Sequence, residues 1–296
     1  MAVTSSVYTD KQQIAGFSAA NGSYTNIGVS VANTYTLADQ TVDSTAGATE
    51  QILITPPGAL ATYTGYMING NPVMQVGPNF IVFSNGGVPA GAGTATAGVY
   101  TYCFAQGTLI ATPEGERTVE SLMIGDQIAT ADGRVVSVKW MGQQTINAIF
   151  AGLNGQMPIR IAAGALGENA PSRDLFVSPD HALMIDDVLV HASALVNGRT
   201  IVQTTSWQGD VKYYHIETEA HELVLAEGVA AETFIDNVSR QHFDNWQEYE
   251  ALYPEAVQML EMDLPRVKFS RQLPKAISRR IDSVADALLG KEKVAA

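Results

Sequence analysis

The sequence predicts an all-β protein made of a small β-rich N-terminal domain, a second compact β domain and a short helical tail. Three observations predict it. Residues 1–100 are rich in Thr, Ser, Ala, Gly and Val and hold five charged side chains, Asp10, Lys11, Asp39, Asp43 and Glu50. Between Thr101 and Asn237 short runs of β-formers alternate with Gly, Pro, Asn and Asp punctuation. Helical periodicity is weak until after Asn237.

The N-terminal domain is assigned to residues 1–98. Tyr24–Val31 and Glu50–Thr55 carry strand-forming residues, and Asn69-Gly70 and Asn85-Gly86 have the composition of tight turns between strands. The segment Gly86–Gly93, read as GGVPAGAG, is expected to be a flexible boundary. The second domain is assigned to residues 99–237. Its predicted strands are Thr108–Thr112, Gln127–Thr130, Val135–Trp140, Asp174–Ser178, Ala182–Ile185, Val188–Ala192, Val211–Thr218 and Glu222–Ala226. Pro113–Glu116 reads as a turn, and Asp132-Gly133 as a two-residue hairpin loop. In the tail, residues 238–296, Ile277, Ile281, Val284 and Leu288 recur at helical spacing within Pro274–Gly290. Lys275, Arg279 and Arg280 lie off that stripe, and a helix packed on the β domain is expected over a membrane-surface or partner helix.

With 296 residues, 46% hydrophobic and 16% charged, the chain is long enough for two cores. A formal net charge of −13 argues against nucleic-acid binding, which needs clustered Lys and Arg. The charge is uneven: residues 264–296 carry +5 and residues 1–263 carry −18. One cysteine rules out an internal disulfide, which leaves the compartment open. The opening MAVTSSVYTDKQQIAGF has no basic stretch followed by an apolar core, so no secretory signal is expected. No apolar run approaches the roughly 18 residues of a membrane span, so a soluble protein without a transmembrane segment is expected.

That cysteine, Cys103, stands at the seam between the domains, in TYCFAQGTLI. At such a position the nearest electrophile is the Tyr102 carbonyl. Attack by the sulfur closes a five-membered ring between tethered atoms and yields a thioester. The exchange is uphill for an ordinary amide. It needs a strained peptide, a donor for the oxyanion and an acid for the leaving nitrogen. Among five histidines, His181 has the sharpest context, FVSPDHALMI, where Ser178 and His181 stand on one turn held by Pro179. Its ordinary pKa near 6.5 suits proton donation. His215 and His221 show no HxH or HExxH spacing, so neither a metal nor a cofactor is expected.

The segments CFAQGTLIATPEGERTVESLMIGDQIAT, SPDHALMI and YYHIETEAHELVLAEGVAAETF, in this order, resemble the Hint superfamily of Hedgehog autoprocessing domains and inteins, in particular its bacterial branch. The resemblance covers about residues 103–236. It implies an all-β horseshoe of two related subdomains in which the opening Cys meets the Ser/Thr-x-x-His. It further implies that Cys103 is the nucleophile of an N-to-S acyl shift at Tyr102–Cys103, and that His181 destabilises the scissile amide and protonates its nitrogen. Ser178 becomes an orienting or oxyanion-side group and Asp126 a turn-forming carboxylate. His215, where relatives often carry Asp, is a candidate second proton carrier.

The chain departs from splicing relatives at its closing segment, which has Glu232-Thr233 in place of His-Asn. Asn237 comes a few residues late and is followed by Val238, so splicing is not expected. The expected function is therefore self-processing without splicing, as a single-turnover cysteine autoprotease or acyl-transfer domain. Water or a small nucleophile would be the acceptor. The alternative is a surface or binding protein, whose β-rich N-terminal domain holds a ligand or protein partner above an inactive Hint scaffold. A third possibility is a Cys–His hydrolase that acts on other molecules.

Overall fold

The structure, a computed structural model, describes residues 5–15, 23–24, 26–27, 31–39, 51–55, 59–68, 71–84, 93–94, 96–97, 102–153, 155–234, 240, 243–255 and 259–295. The expected turns at Asn69-Gly70 and Asn85-Gly86, most of the expected boundary Gly86–Gly93, and Asn237 and His242 lie outside the described residues. Two compact units emerge. One comprises Met1–Val99, Thr145–Gln156 and Thr205–Val211, and the other Tyr100–Gln144, Met157–Thr204 and Lys212–Ala296.

In the first unit the strands are β1 (Ser5–Ala15), β2 (Ser23–Tyr24), β3 (Asn26–Ile27), β4 (Val31–Asp39), β5 (Gln51–Thr55), β6 (Ala59–Ile68), β7 (Asn71–Val76), β8 (Asn79–Ser84), β9 (Gly93–Thr94) and β10 (Thr96–Ala97). The main sheet runs β10-β6-β5-β4-β1-β8-β7, and β6 also pairs with β7. The six strands from β6 round to β7 thus close into a ring, which leaves those strands without free edges. Ile14, Ala61, Val73, Met74, Val82 and Phe83 are buried in it.

The remaining strands are β11 (Phe104–Ala105), β12 (Leu109–Thr112), β13 (Gly115–Thr118), β14 (Gln127–Ala129), β15 (Val135–Ser137), β16 (Trp140–Ile146), β17 (Ile159–Ile161), β18 (Leu175–Val177), β19 (Ala182–Ile185), β20 (Val188–His191), β21 (Ile201–Gln203), β22 (Val211–Glu217), β23 (Leu223–Ala226), β24 (Val229–Glu232) and β25 (Arg266–Val267). They form a six-stranded sheet, β16-β22-β11-β18-β17-β21, a seven-stranded sheet, β13-β12-β23-β24-β19-β20-β25, and a separate two-stranded pair, β14-β15. Three α-helices, α1 (Ala148–Leu153), α2 (Trp246–Leu252) and α3 (Lys275–Ala295), and short 3-10 turns at Val119–Ser121, Ala192–Leu195 and Ser270–Gln272 complete the described structure. The all-β class expected from the sequence is what the chain adopts, with a C-terminal helix where the 3.6-residue period predicts one.

Two places show how the sequence bends the chain between the sheets. β11 belongs to one sheet and β12 to the other, and the link turns at Gly107, whose φ of 89° an L side chain resists. There the Gly107 N–H donates to Glu120 Oε2 at 2.9 Å, and Thr108 Oγ1 donates to the Ala105 carbonyl at 2.8 Å. β18 and β19 are likewise in different sheets, joined by Ser178-Pro179-Asp180-His181. The His181 N–H closes that turn on the Ser178 carbonyl at 3.1 Å, and the Ser193 N–H donates to the Pro179 carbonyl at 2.8 Å. The predicted arm Val135–Trp140 divides in two. β15 ends at Ser137, and Trp140 opens β16 in the six-stranded sheet, because Val138 N–H turns back to the Asp126 carbonyl and Lys139 N–H donates to that of Glu217.

The core of the second unit gathers Phe104, Ile110, Leu175, Val177, Leu183, Val190, Ile216 and Val224 with many smaller aliphatics. α3 adds Ile277 and Ile281 to it and holds its place by ion pairs, Arg280 to Asp186 at 2.8 Å and Asp286 to Arg199 at 2.9 Å. Among the described residues no helix is long and apolar enough to cross a membrane.

Candidate functional site

Register explains why Cys103, Ser178 and His215 meet. β11 lies between β18 and β22, with Phe104 opposite both Val177 and Tyr214. In antiparallel pairs the next residue along runs the other way, so Cys103 falls opposite Ser178 on one side and His215 on the other. The hydrogen bonds agree. The Cys103 N–H donates to Ser178 Oγ at 2.9 Å, and the Ser178 N–H donates to the Cys103 carbonyl at 2.9 Å. On the other flank Cys103 Sγ lies 4.0 Å from His215 Nδ1. The sulfur, the amide nitrogen and an imidazole thus share one small volume, and Cys103 is fully buried.

Ser178 Oγ therefore sits on the nitrogen of the Tyr102–Cys103 peptide. The Tyr102 backbone favours the protonated forms of both His181 and His215. Burial outweighs this help. It pushes His181 down to about 4 and His215 down to about 3 from an ordinary 6.5, with the His181 ring also disfavouring charge on His215. At neutral pH both rings are therefore neutral. Neither nitrogen of His181, nor Nε2 of His215, has a hydrogen-bond partner among the described residues.

Aromatic rings fix the imidazoles. Phe104 lies 4.3 Å from the His181 ring, centroid to centroid. Phe243 stacks on His215 at 5.4 Å, and Phe234 meets the same ring edge-on at 4.9 Å. The Tyr102 ring meets His191 edge-on at 5.8 Å, and His191 Nδ1 lies 3.4 Å from Asp180 Oδ1. Tyr213, two residues before His215 and so on the same strand face, is buried within electrostatic reach of Cys103. Burial pushes its hydroxyl pKa well up.

A buried carboxylate stands behind His181. Glu232 Oε1 accepts the Ala182 N–H at 3.0 Å, and both Glu232 oxygens receive the Arg266 guanidinium, at 3.1 and 2.7 Å. His221 Nε2 lies 3.4 Å from the same carboxylate. Although burial opposes its charge, these partners hold Glu232 down to about 2.

All four sequence-predicted side chains, Cys103, Ser178, His181 and His215, thus converge on Tyr102–Cys103. Asp126 stands apart, where it closes its own turn by accepting the Met123 N–H at 2.8 Å and pairs with Arg117 at 3.0 Å. Sequence reasoning missed His191, Tyr213, Glu232, Phe243 and Arg266. A period-two reading of Tyr213, His215 and Glu217 would have put Tyr213 on the face of His215. Nothing local marks Arg266, whose partner Glu232 is 34 residues away. Among the described residues no group of three or more His, Cys, Asp or Glu is arranged to hold a metal ion.

A wide cleft of about 760 Å³ opens beside this site, lined by Tyr102 and by Glu261, Met262, Asp263, Leu264, Arg266 and Lys268.

In comparisons with known proteins, the Hint domain family model matches residues 102–238. No curated protein matches the chain. Two crystal structures of the MchDnaB-1 intein are similar in part. One is 15% identical with a TM-score of 0.31 and covers 44% of this chain and 99% of the intein. The other, the N145AA form, is 17% identical with a TM-score of 0.31 and covers 44% and 98%.

Proposed function

From the premise that residues 102–238 form a Hint domain, we propose that the chain processes itself at Tyr102–Cys103 through a thioester, without splicing. The observation that carries this reading is the flanking of one peptide bond by two kinds of group. Ser178 Oγ is 2.9 Å from its nitrogen, and His215 Nδ1 is 4.0 Å from the sulfur of the residue that owns that nitrogen. A fully buried Cys103 also favours a target inside the chain over an external substrate.

In the proposed sequence His215, neutral and with a free electron pair, takes the Sγ proton. The sulfur pair forms a bond to the Tyr102 carbonyl carbon, and the C=O π pair moves to oxygen, where the two imidazoles stabilise it. Collapse restores the C=O and breaks the C–N bond. The departing nitrogen takes a proton from His181 as the proton taken up by His215 passes to His181, so that both rings end neutral, with Ser178 Oγ orienting the amide. The products are a Tyr102–S–Cys103 thioester and a free Cys103 amine. Addition of water then releases residues 1–102 as a carboxylic acid and restores the thiol; a small thiol or amine would capture them as an adduct instead.

Intact-mass measurement over days, for wild type and Cys103→Ala, with and without dithiothreitol, tests the proposal. The wild type is expected to yield residues 1–102 and 103–296, faster with dithiothreitol, while Cys103→Ala stays whole. A wild type that remains intact under both conditions sinks the autocatalytic reading and leaves the N-terminal domain as the functional part.

A further inference from the structure

The family match ends at residue 238, yet Glu232, which accepts the Ala182 N–H next to His181, is clamped from beyond that limit. Arg266 belongs to β25, which pairs in parallel with β20, Leu189 opposite Arg266 and Val190 opposite Val267. The Leu189 N–H donates to the Pro265 carbonyl at 2.9 Å, and the Met262 N–H donates to His221 Nδ1 at 3.1 Å. Segment 261–267 is thus bound along its length, and it delivers one guanidinium to Glu232, whose side chain is fully buried. Glu261 supplies Arg266 with a second carboxylate, at 2.7 Å.

We propose that Arg266 and Glu232 are positioning residues for His181: the guanidinium pins the carboxylate, which in turn holds the backbone at Ala182 and sets a negative charge close to the imidazole. The inference rests on the reading that His181 acts on the Tyr102–Cys103 peptide. Its chemistry is that of a buried acid with a fixed counter-charge. A carboxylate near an imidazole makes a proton easier to hold, and burial makes it harder. The groups facing His181 are Glu232 from β24, His191 from β20, Arg266 from β25, His215 from β22 and the Tyr102 backbone. Glu232 and the Tyr102 backbone favour the charged ring, whereas His191 and Arg266 oppose it. Arg266 is tied bidentately to Glu232, and Glu232 Oε1 also accepts the Ala182 N–H, so the guanidinium fixes the carboxylate against the strand that follows His181.

Two measurements separate this inference from its parent. First, the His181 imidazole is titrated by NMR in the full chain carrying Cys103→Ala, with and without Glu232→Gln. The amide keeps the size and an acceptor oxygen but loses the charge, and the His181 titration is expected to move to lower pH. An unmoved titration overturns the inference whether or not the chain cleaves. Second, cleavage is followed at neutral pH in Arg266→Lys and in the double variant Glu232→Gln/Arg266→Met, which leaves no unpaired buried charge. The double variant is expected to cleave at least tenfold more slowly than wild type at an unchanged melting temperature, and Arg266→Lys to fall between. A double variant that folds and cleaves at the wild-type rate makes the pair purely structural. If the double variant does not fold, the titration decides alone. A wild type that never cleaves removes the parent reading, and the titration then decides whether the pair sets the protonation of His181.

Discussion

At Cys103 every neighbour has a separable job, and single substitutions can tell the jobs apart. Ser178→Ala removes the acceptor of the scissile N–H, one hydrogen bond in a buried site. It is expected to slow cleavage by about tenfold, the equivalent of about 1.4 kcal/mol. His181→Ala removes the proposed acid and is expected to cost about a hundredfold or more. Single-turnover rates by mass spectrometry check both, and a His181→Ala rate equal to wild type would remove the proton-transfer role. The imidazoles also predict how stability responds to pH. His181 and His215 take up protons in the unfolded chain near 6.5 but refuse them in the native state until about 4 and about 3. Below about 6.5 the unfolded state thus binds more protons, and native stability falls as pH drops through that window. In urea titrations of Cys103→Ala the midpoint is expected to be lower at pH 5 than at pH 7; equal midpoints would mean that the rings are not buried in their neutral forms. The losses tied to Glu232 begin lower, between about 4.5 and 2, and so fall in a separate window.

Elements place these side chains, and close packing gives the elements little latitude. Gly142, in β16, is a case where space, not φ, demands glycine. A Cβ there would sit 2.9 Å from Phe243 Cδ1 and 2.9 Å from Trp140 Cζ3. Because Phe243 stacks on His215, Gly142→Ala is expected to destabilise by about 1–3 kcal/mol and to slow cleavage with it. Gly152→Ala, helical and with nothing within 4 Å of its Cβ, serves as the control and is expected to be neutral or slightly stabilising. Denaturation midpoints check the pair; a Gly142→Ala chain as stable as the parent would show that the aromatic cluster yields. At this scale the sequence was only partly legible. β12, β14, β18, β19, β20, β22 and β23 follow from runs of β-formers between turn residues. β17, β21 and β25 are two or three residues long and carry no periodicity to detect, so tertiary pairing alone creates them. α2 was missed for a similar reason, since seven residues give barely two turns.

Across the molecule the basic tail proves to be part of the second unit's fabric. α3 buries Ile277, Ile281 and Ala285 and ties Arg280 and Asp286 to the β sheets' loops. A chain stopped after Pro274 keeps Arg266 but exposes the isoleucines' docking surface. It is expected to lose about 3–6 kcal/mol, counting about 1.5–3 for each buried isoleucine. A urea midpoint unchanged by that truncation would show that the helix is not part of the cooperative fold. The same expectation separates helix from clamp, because the truncated chain should still hold Glu232 through Arg266.

Sequence alone determined the all-β class, the C-terminal helix, and a short roster of chemically apt residues around Tyr102–Cys103, because composition, period and turn chemistry are local and survive in a linear string. Tertiary structure decided the rest: that Ser178 faces the amide nitrogen, that His215 faces the sulfur, and that an arginine past the segment matched by the Hint family model holds a carboxylate next to Ala182. Those facts depend on strand register and on pairs 34 to 112 residues apart. Such distances along the chain become contacts only when burial selects one packing from among many.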